Sequence, residues 1–375
     1  PDLAESLLAS GMADMVSMAR PFLADPDFVA KSASGRAAEI APCIACNQAC
    51  LDHTFSGKLT SCLVNPRACH ETVLTYEATA TPQRIAVVGA GPAGLMAAKV
   101  AALRGHKVVL FDQASKLGGQ LNLAKQVPGK EEFHGLVAWF SHEIANLGIE
   151  TRLGTPVDVR DLTGFDHVIV ATGVTPRDPQ IPGQERAKTY LEVLQGAPVG
   201  RRVAIVGAGG IGFDVAEYLV SNGHSATLDP EVWRREWGVG DPAESPGGLR
   251  EPAPEAPARE VWLLQRKAEK PGRGLGKTTG WIHRAALAAK GVRMLGGVSY
   301  DRITDEGLWI TRDGAAQLLA VDDVVLCAGQ LPERGLYDRL IAAGIMAHVI
   351  GGADVAAELD AKRAIDQGAR LAARL

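Results

Sequence analysis

Apolar residues in this chain gather into short unbroken runs of strand length, several of which end in glycine. Residues 84–88 (RIAVV), 107–111 (KVVLF), 167–173 (HVIVATG), 202–206 (RVAIV), 260–264 (EVWLL), 321–329 (VDDVVLCAG) and 348–350 (HVI) are of this kind. Continuous rather than alternating apolar runs are expected of strands buried on both faces, as in a parallel sheet covered by helices. Segments 95–104, 213–221 and 281–290 carry apolar residues at helical spacing between those runs. Strand, glycine turn, helix and strand, written twice, predict an α/β fold with two Rossmann-like units, the second inserted in the first.

The pattern before residue 84 is different. Residues 2–10 predict a short amphipathic helix with Leu3, Leu7 and Leu8 on one face, closed by Gly11. Residues 14–20 (DMVSMAR) predict a strand broken by Pro21, and Asp25-Pro26 precedes another small helix. Helix, strand, turn and helix suit the last unit of a (β/α)8 barrel, where loops after the final strands often hold a phosphate. Arg20, at the end of that strand, is then either a phosphate ligand or an ordinary surface arginine. Pro1 stands where an initiator Met is expected, so the sequence reads as lacking its N-terminal portion.

Both glycine turns carry the dinucleotide fingerprint. Gly89, Gly91, Ala93 and Gly94 lie in GAGPAG, and Gly207, Gly209, Gly210 and Gly212 lie in GAGGIG. The first glycine makes the turn, the second lets backbone approach a pyrophosphate, and the last lets helix pack on strand. The helix N-terminus turns N–H groups toward the phosphates. Asp112, at the end of the second strand, is placed to accept hydrogen bonds from ribose hydroxyls. Gly119 and Gln120 in KLGGQ, and Ala171, Thr172 and Gly173 at the end of the third run, are small enough to lie against a bound dinucleotide. Gly351, Gly352 and Asp354 form a last turn able to hold the ribityl chain of FAD, with Asp354 alternatively a plain helix cap. In the second unit the acid position is taken by Gln265-Arg266-Lys267. Arg266 and Lys267 favour a 2′-phosphate, hence NADPH, unless they simply begin a solvated basic loop.

Cysteine spacing supplies the remaining chemistry. Cys43, Cys46, Cys50 and Cys62 form a C-x2-C-x3-C-x11-C run, while Cys69 and Cys327 stand apart as structural thiols. A disulfide framework suits small secreted domains better than a chain of 375 residues. Zinc usually takes two paired knuckles. Four cysteines also suit the corners of a 4Fe-4S cluster, so cluster and zinc both remain open on spacing alone. His53 and His70 are expected to lie outside the ligand set.

Bulk properties narrow the field. A net charge of -4 gives no general attraction to nucleic acid or to acidic membranes. No apolar run approaches the roughly 18 residues that span a bilayer, and no leader opens the sequence, so no membrane role and a cytoplasmic location are expected.

The two nested nucleotide units resemble the glutathione-reductase-type oxidoreductases, although the redox C-x4-C of that group is absent. The cysteine run before them, with ARPFLADPDF, PCIACNQACLD, SCLVNPRAC, LGGQLNLAKQVPGKEEF and LLQRKAEKPGRGLGKTTGWIHR, resembles the iron–sulfur flavoenzymes related to old yellow enzyme. That family includes the bacterial NADPH-dependent 2,4-dienoyl-CoA reductases, trimethylamine dehydrogenase, and bile-acid and enoate reductases. The resemblance implies a barrel remnant over 1–41, a cluster segment over 42–81, an FAD domain over 82–197 and 320–375, and an NADPH domain over 198–319. It implies Cys43, Cys46, Cys50 and Cys62 as cluster ligands. It also implies electron flow from NADPH through FAD and the cluster to FMN, with 2,4-dienoyl-CoA as the final acceptor in the full-length enzyme. Gly11 and Arg20 would be remnants of the FMN phosphate side, and the family's proton donors would precede Pro1. A reductase of another enone, or an electron-transfer subunit similar to the small subunit of glutamate synthase, fits the same frame.

Overall fold

The computed structural model describes residues 1–357 and 360–375. Two units divide the chain. One comprises Pro1–Asn122, Glu132–Thr175 and Leu331–Leu375; the other comprises Leu123–Glu131 and Pro176–Gln330.

The first unit is built on a five-stranded parallel sheet in the order Ala347–Val349, His167–Val170, Arg84–Val88, Lys107–Phe111, Glu150–Arg152. Its three central strands are the buried apolar runs expected from the sequence. The helix Pro92–Leu103 follows the central strand and is buried along most of its length. Its proline sits in the first turn, where the missing N–H costs nothing. The helix Ala361–Ala372 packs on it at Gly368, where a Cβ would lie 2.3 Å from the Ala93 carbonyl oxygen.

Residues of the cysteine segment enter the same apolar core: Ala41, Ile44, Leu63 and Val64 join Ala90, Ala93 and Ile350 there. Buried Asp25 clamps the preceding residues, accepting from Lys31 Nζ at 2.6 Å and from the Ala41 amide at 2.8 Å. The Trp139 indole donates to the Glu39 carbonyl at 3.2 Å.

The second unit repeats the architecture. Its parallel sheet runs Lys188–Thr189, Asp323–Leu326, Arg202–Val206, Glu260–Leu264, Arg293–Leu295. An antiparallel layer of Val298–Thr304, Gly307–Arg312 and Ala315–Leu319 covers one face through Ile303, Leu308, Ile310 and Leu319.

Three expectations change. Residues 14–20 form no strand; they are irregular up to Arg20, which opens the short helix Arg20–Ala24 with Pro21 in its first turn. A strand needs a hydrogen-bonded neighbour, and the described residues supply none here. The strand Asp323–Leu326 was expected to return to the first nucleotide unit, yet it pairs with Arg202–Val206 in the second. The second unit therefore runs on both sides of the expected 198–319 limits, taking in residues 176–197 and 320–330. One helix was not read from the sequence: Pro230–Trp237, capped by the Asp229 carboxylate and closed by Gly238 at φ 67°. Asp354 closes the 3-10 turn Gly351–Ala353 and does not cap the last helix; Asp360 does, accepting from the Arg363 amide at 2.8 Å.

Among the described residues no helix is long and apolar enough to cross a membrane.

Candidate functional site

Cys43, Cys46, Cys50 and Cys62 line one cavity of about 20 Å³, together with Arg20, Leu23, Ile44, Asn47, Ala49, Ser61, Leu63 and Val64. The turn carrying the first three cysteines is tight. Ala45 and Asn47 take left-handed backbone, at φ 52° and 59°, which turns successive thiols inward. The short helix Leu51–Thr54 then begins, and the Ser61 amide donates to the Ala49 carbonyl at 2.8 Å, bringing Cys62 back to the group.

The four thiols are not equivalent. Burial pushes the Cys46 thiol up to about 12, helped by the charges of Cys62, Cys50 and Cys43 and opposed by the Gln48 amide. Burial likewise raises Cys62, opposed by amide hydrogen bonds from Asn65 and Val64. A thiol held this way would become a ligand only with a cation to offset its charge, and it would release a proton in doing so. Amides aimed at sulfur are also how a protein holds and tunes a cluster. Among the described residues, no three His, Cys, Asp or Glu side chains converge closely enough to hold a single metal ion. The four cysteines share this one cavity. Cys69 is exposed and is not among its lining residues, nor are His53 and His70, whose ring nitrogens lie 2.9 and 3.1 Å from the Leu59 and Ala68 carbonyls.

The first glycine loop lies in the same unit. Gly89 has φ 111°, and a Cβ there would meet the Ala171 carbonyl oxygen at 2.2 Å. A Cβ on Gly94 would lie 1.8 Å from the Gly89 carbonyl oxygen. Gly91 leaves open space, as a ligand-facing position should. Gly119 crosses close over Gly91, its Cβ position 2.8 Å from the Gly91 Cα, and the Gly118 amide donates to the Ala90 carbonyl at 2.8 Å. Gln120 is exposed beside it. The Thr172 hydroxyl donates to the Glu333 carbonyl at 2.6 Å, and the Glu333 amide to the Gly173 carbonyl at 3.0 Å. Gly351, at φ 66°, packs on Ala93, with 2.9 Å between its Cβ position and the Ala93 Cβ. Gly352 is next to it and half-buried.

Two residues of this turn's support were not read from the sequence. Gln367 accepts the Gly351 amide at 2.8 Å and donates to Asp354 Oδ2 at 3.0 Å. Arg363 donates to the carbonyls of Gly351 and Val355, at 3.3 and 2.6 Å. Their spacing of four on one helix face was the available signal.

The second unit holds a copy of this loop. Gly207 has φ 114°, and its Cβ position is 2.2 Å from the Cys327 carbonyl oxygen; that of Gly212 is 1.9 Å from the Gly207 oxygen. Cys327 thus stands where Ala171 stands in the first unit, a half-buried residue whose thiol pKa is raised by burial. Gly209 and Gly210 face open space. After the strand Glu260–Leu264, the Gln265 amide group donates to the Lys267 carbonyl at 3.1 Å and turns Arg266 and Lys267 outward, both exposed. Lys267 lies 3.8 Å from Glu269, while Arg266 pairs with no carboxylate among the described residues. His283 of the helix Gly280–Ala289 is 2.7 Å from Glu217 of the helix Gly210–Val220.

Arg20 does not close a strand. Its guanidinium lies on the cysteine cavity and donates to Asn47 Oδ1 at 3.0 Å.

A family model described as pyridine nucleotide-disulphide oxidoreductase matches residues 83–355. The chain is 36% identical over 362 residues to a metal reductase of Desulforamulus reducens, which covers 94% of this chain and 53% of that protein. It is 27% identical over 362 residues to a cinnamate reductase of Clostridium sporogenes, covering 94% of this chain and 49% of that one. Among solved structures, a 2-naphthoyl-CoA reductase in complex with 2-naphthoyl-CoA superposes on the whole chain with a TM-score of 0.86 at 25% identity, using 52% of its own length. The chain spans about half the length of these relatives.

Proposed function

The chain belongs to the pyridine nucleotide-disulphide oxidoreductase family, whose members bind FAD and NAD(P)H, and from that premise we propose that it is the NADPH-oxidising half of an iron–sulfur flavoenzyme. In this reading FAD lies on the first glycine loop and NADPH on the second. A 4Fe-4S cluster is held by Cys43, Cys46, Cys50 and Cys62. Bound there, the three groups supply hydride transfer and one-electron transfer.

The observation that carries the reading is the cavity the four cysteines share, whose lining joins the same apolar core as the first glycine loop. A cysteine-only donor set, with no His, Asp or Glu in the lining, suits the corners of a cuboidal cluster. The chain's own residues do the rest. Gly91 and Gly209 leave room for a pyrophosphate, and Gln367 and Arg363 hold the turn that Gly351 and Asp354 present. Arg266, exposed and without a carboxylate partner among the described residues, offers its guanidinium to a 2′-phosphate.

For the longer protein we propose a conjugated thioester, 2,4-dienoyl-CoA, as the acceptor, with FMN bound in a part outside this sequence. The similarity to a 2-naphthoyl-CoA reductase supports an aromatic or conjugated acyl-CoA class. The 36% identity to a metal reductase favours a second reading, in which the same electrons reach a metal ion. The chain of 375 residues is expected to pass electrons from NADPH to artificial acceptors without turning over dienoyl-CoA. Iron and acid-labile sulfide analysis, with steady-state assays on a dienoyl-CoA and on a ferric chelate, tests this. Stoichiometric zinc without sulfide contradicts the cluster, and dienoyl-CoA turnover by this chain contradicts the division of labour.

A further inference from the structure

Two histidines meet across the edge of the first unit's sheet. His167 opens the strand His167–Val170, and His348 lies in the middle of the edge strand Ala347–Val349 beside it. His348 Nε2 is 3.0 Å from His167 Nδ1, and the ring centroids are 5.2 Å apart. A third, His106, leads into the strand Lys107–Phe111 and is 5% exposed. Its Nδ1 accepts the Gln83 amide at 3.2 Å, and its buried Nε2 has no hydrogen-bond partner among the described residues.

Two ring nitrogens at this distance need one proton between them, so one imidazole donates and the other accepts. Two imidazolium rings would each direct a proton into the contact. The pair therefore accommodates one charge and resists a second. Burial and the charge of His167 hold His348 below its usual 6.5. Burial, then Arg104 and His167, do the same to His106. The acids on neighbouring elements are engaged elsewhere: Asp366 of the last helix with Arg370, Asp158 with Arg339, and Asp166 with the Arg84 amide. The edge strand is three residues long, has one neighbour, and leads directly into the turn that carries Gly351 and Asp354. There the Ile350 amide donates to the Val170 carbonyl at 3.0 Å.

We propose that the His167–His348 pair is an acid-operated latch: a second proton loosens the strand Ala347–Val349 and the turn after it, and bound flavin leaves. The inference rests on the flavin reading above for its ligand. A base held neutral by the fold contributes stability that is present above 6.5 and lost as pH falls through its folded value. Flavin is therefore retained at neutral pH and released in acid.

The test takes the flavin-loaded full chain through pH steps between about 8 and about 5, the range in which histidine titrates. Flavin release is read by fluorescence. Strand opening is read by hydrogen exchange of the Ile350 amide, corrected for the intrinsic effect of pH on exchange. In the wild type both are expected to rise about tenfold or more as pH falls. His348→Gln and His167→Gln each keep a group that can hydrogen-bond the remaining imidazole and remove the second charge, and each is expected to flatten both profiles. Flat profiles in the wild type overturn the proposal, as does an acid step that persists in both variants. A chain that holds no flavin, yet whose exchange rises with acid in the wild type alone, supports the latch and contradicts the flavin reading instead.

Discussion

Asp112 Oδ2 accepts the backbone N–H of Ala90 at 2.6 Å, and its Oδ1 accepts that of Ala114 at 2.7 Å. The acid expected to meet a ribose also splints the first glycine loop to the end of the second strand. Asp112→Asn turns one acceptor into a donor facing an N–H. A charge-assisted bond of this kind contributes about 1.5–3 kcal/mol. The variant is expected to bind FAD at least tenfold more weakly, measured by fluorescence on flavin release, with its fold intact by circular dichroism.

Gly94 and Gly212 are matched in the two units, each with its Cβ position under 2 Å from a loop carbonyl, 1.8 and 1.9 Å respectively. Alanine at either forces the helix off the strand. Overpacking of this order costs about 1–3 kcal/mol. Gly94→Ala is expected to lose flavin while leaving NADPH affinity little changed, and Gly212→Ala to do the reverse. Flavin content and NADPH binding by calorimetry check the split. Loss of both ligands in each variant would show instead that the units do not fold independently.

Arg266 is exposed and pairs with no carboxylate among the described residues, which leaves its charge for a phosphate. Arg266→Ala is expected to raise KM for NADPH about tenfold or more, the equivalent of one charge-assisted contact, with little change for NADH. Equal loss with both nucleotides would mark Arg266 as part of an ordinary basic loop.

The His283–Glu217 pair gives a pH dependence. The Glu217 hydrogen bond raises His283 above its usual 6.5, against a smaller opposing effect of burial. A base whose folded pKa is raised contributes stability that is full below 6.5 and is lost as pH rises through the folded value. His283 is about a third exposed, so the contribution after screening is on the order of 0.5 kcal/mol. Glu217→Gln is expected to remove that component. The Tm difference between wild type and variant should narrow as pH rises above neutrality.

Much of the frame was legible because buried parallel strands advertise themselves. The runs at 84–88, 107–111, 202–206 and 260–264 have the bounds of the observed strands. Glycines 89, 94, 207 and 212 were legible for the same reason the fold needs them: a side chain there meets backbone. Partnership was not legible. The run 14–20 has strand composition but no neighbour, and the strand Asp323–Leu326 could be given to the second unit only once its pairing with Arg202–Val206 was known. The helix Pro230–Trp237 was hidden by the proline content around it, although Asp229, Pro230 and Gly238 are its start and stop signals. Arg20, 27 residues from Asn47, reaches the cysteines only through tertiary folding, and no local pattern carries that.

Anaerobic titration of the flavin- and iron-loaded chain with NADPH, followed by visible absorption and then by EPR at low temperature, tests the central claim most directly. Flavin bands that bleach on addition of NADPH, with a reduced-cluster EPR signal that is lost in Cys62→Ser and kept in Cys69→Ser, are the predicted result. A flavin spectrum untouched by NADPH, or an EPR signal indifferent to Cys62, would contradict it.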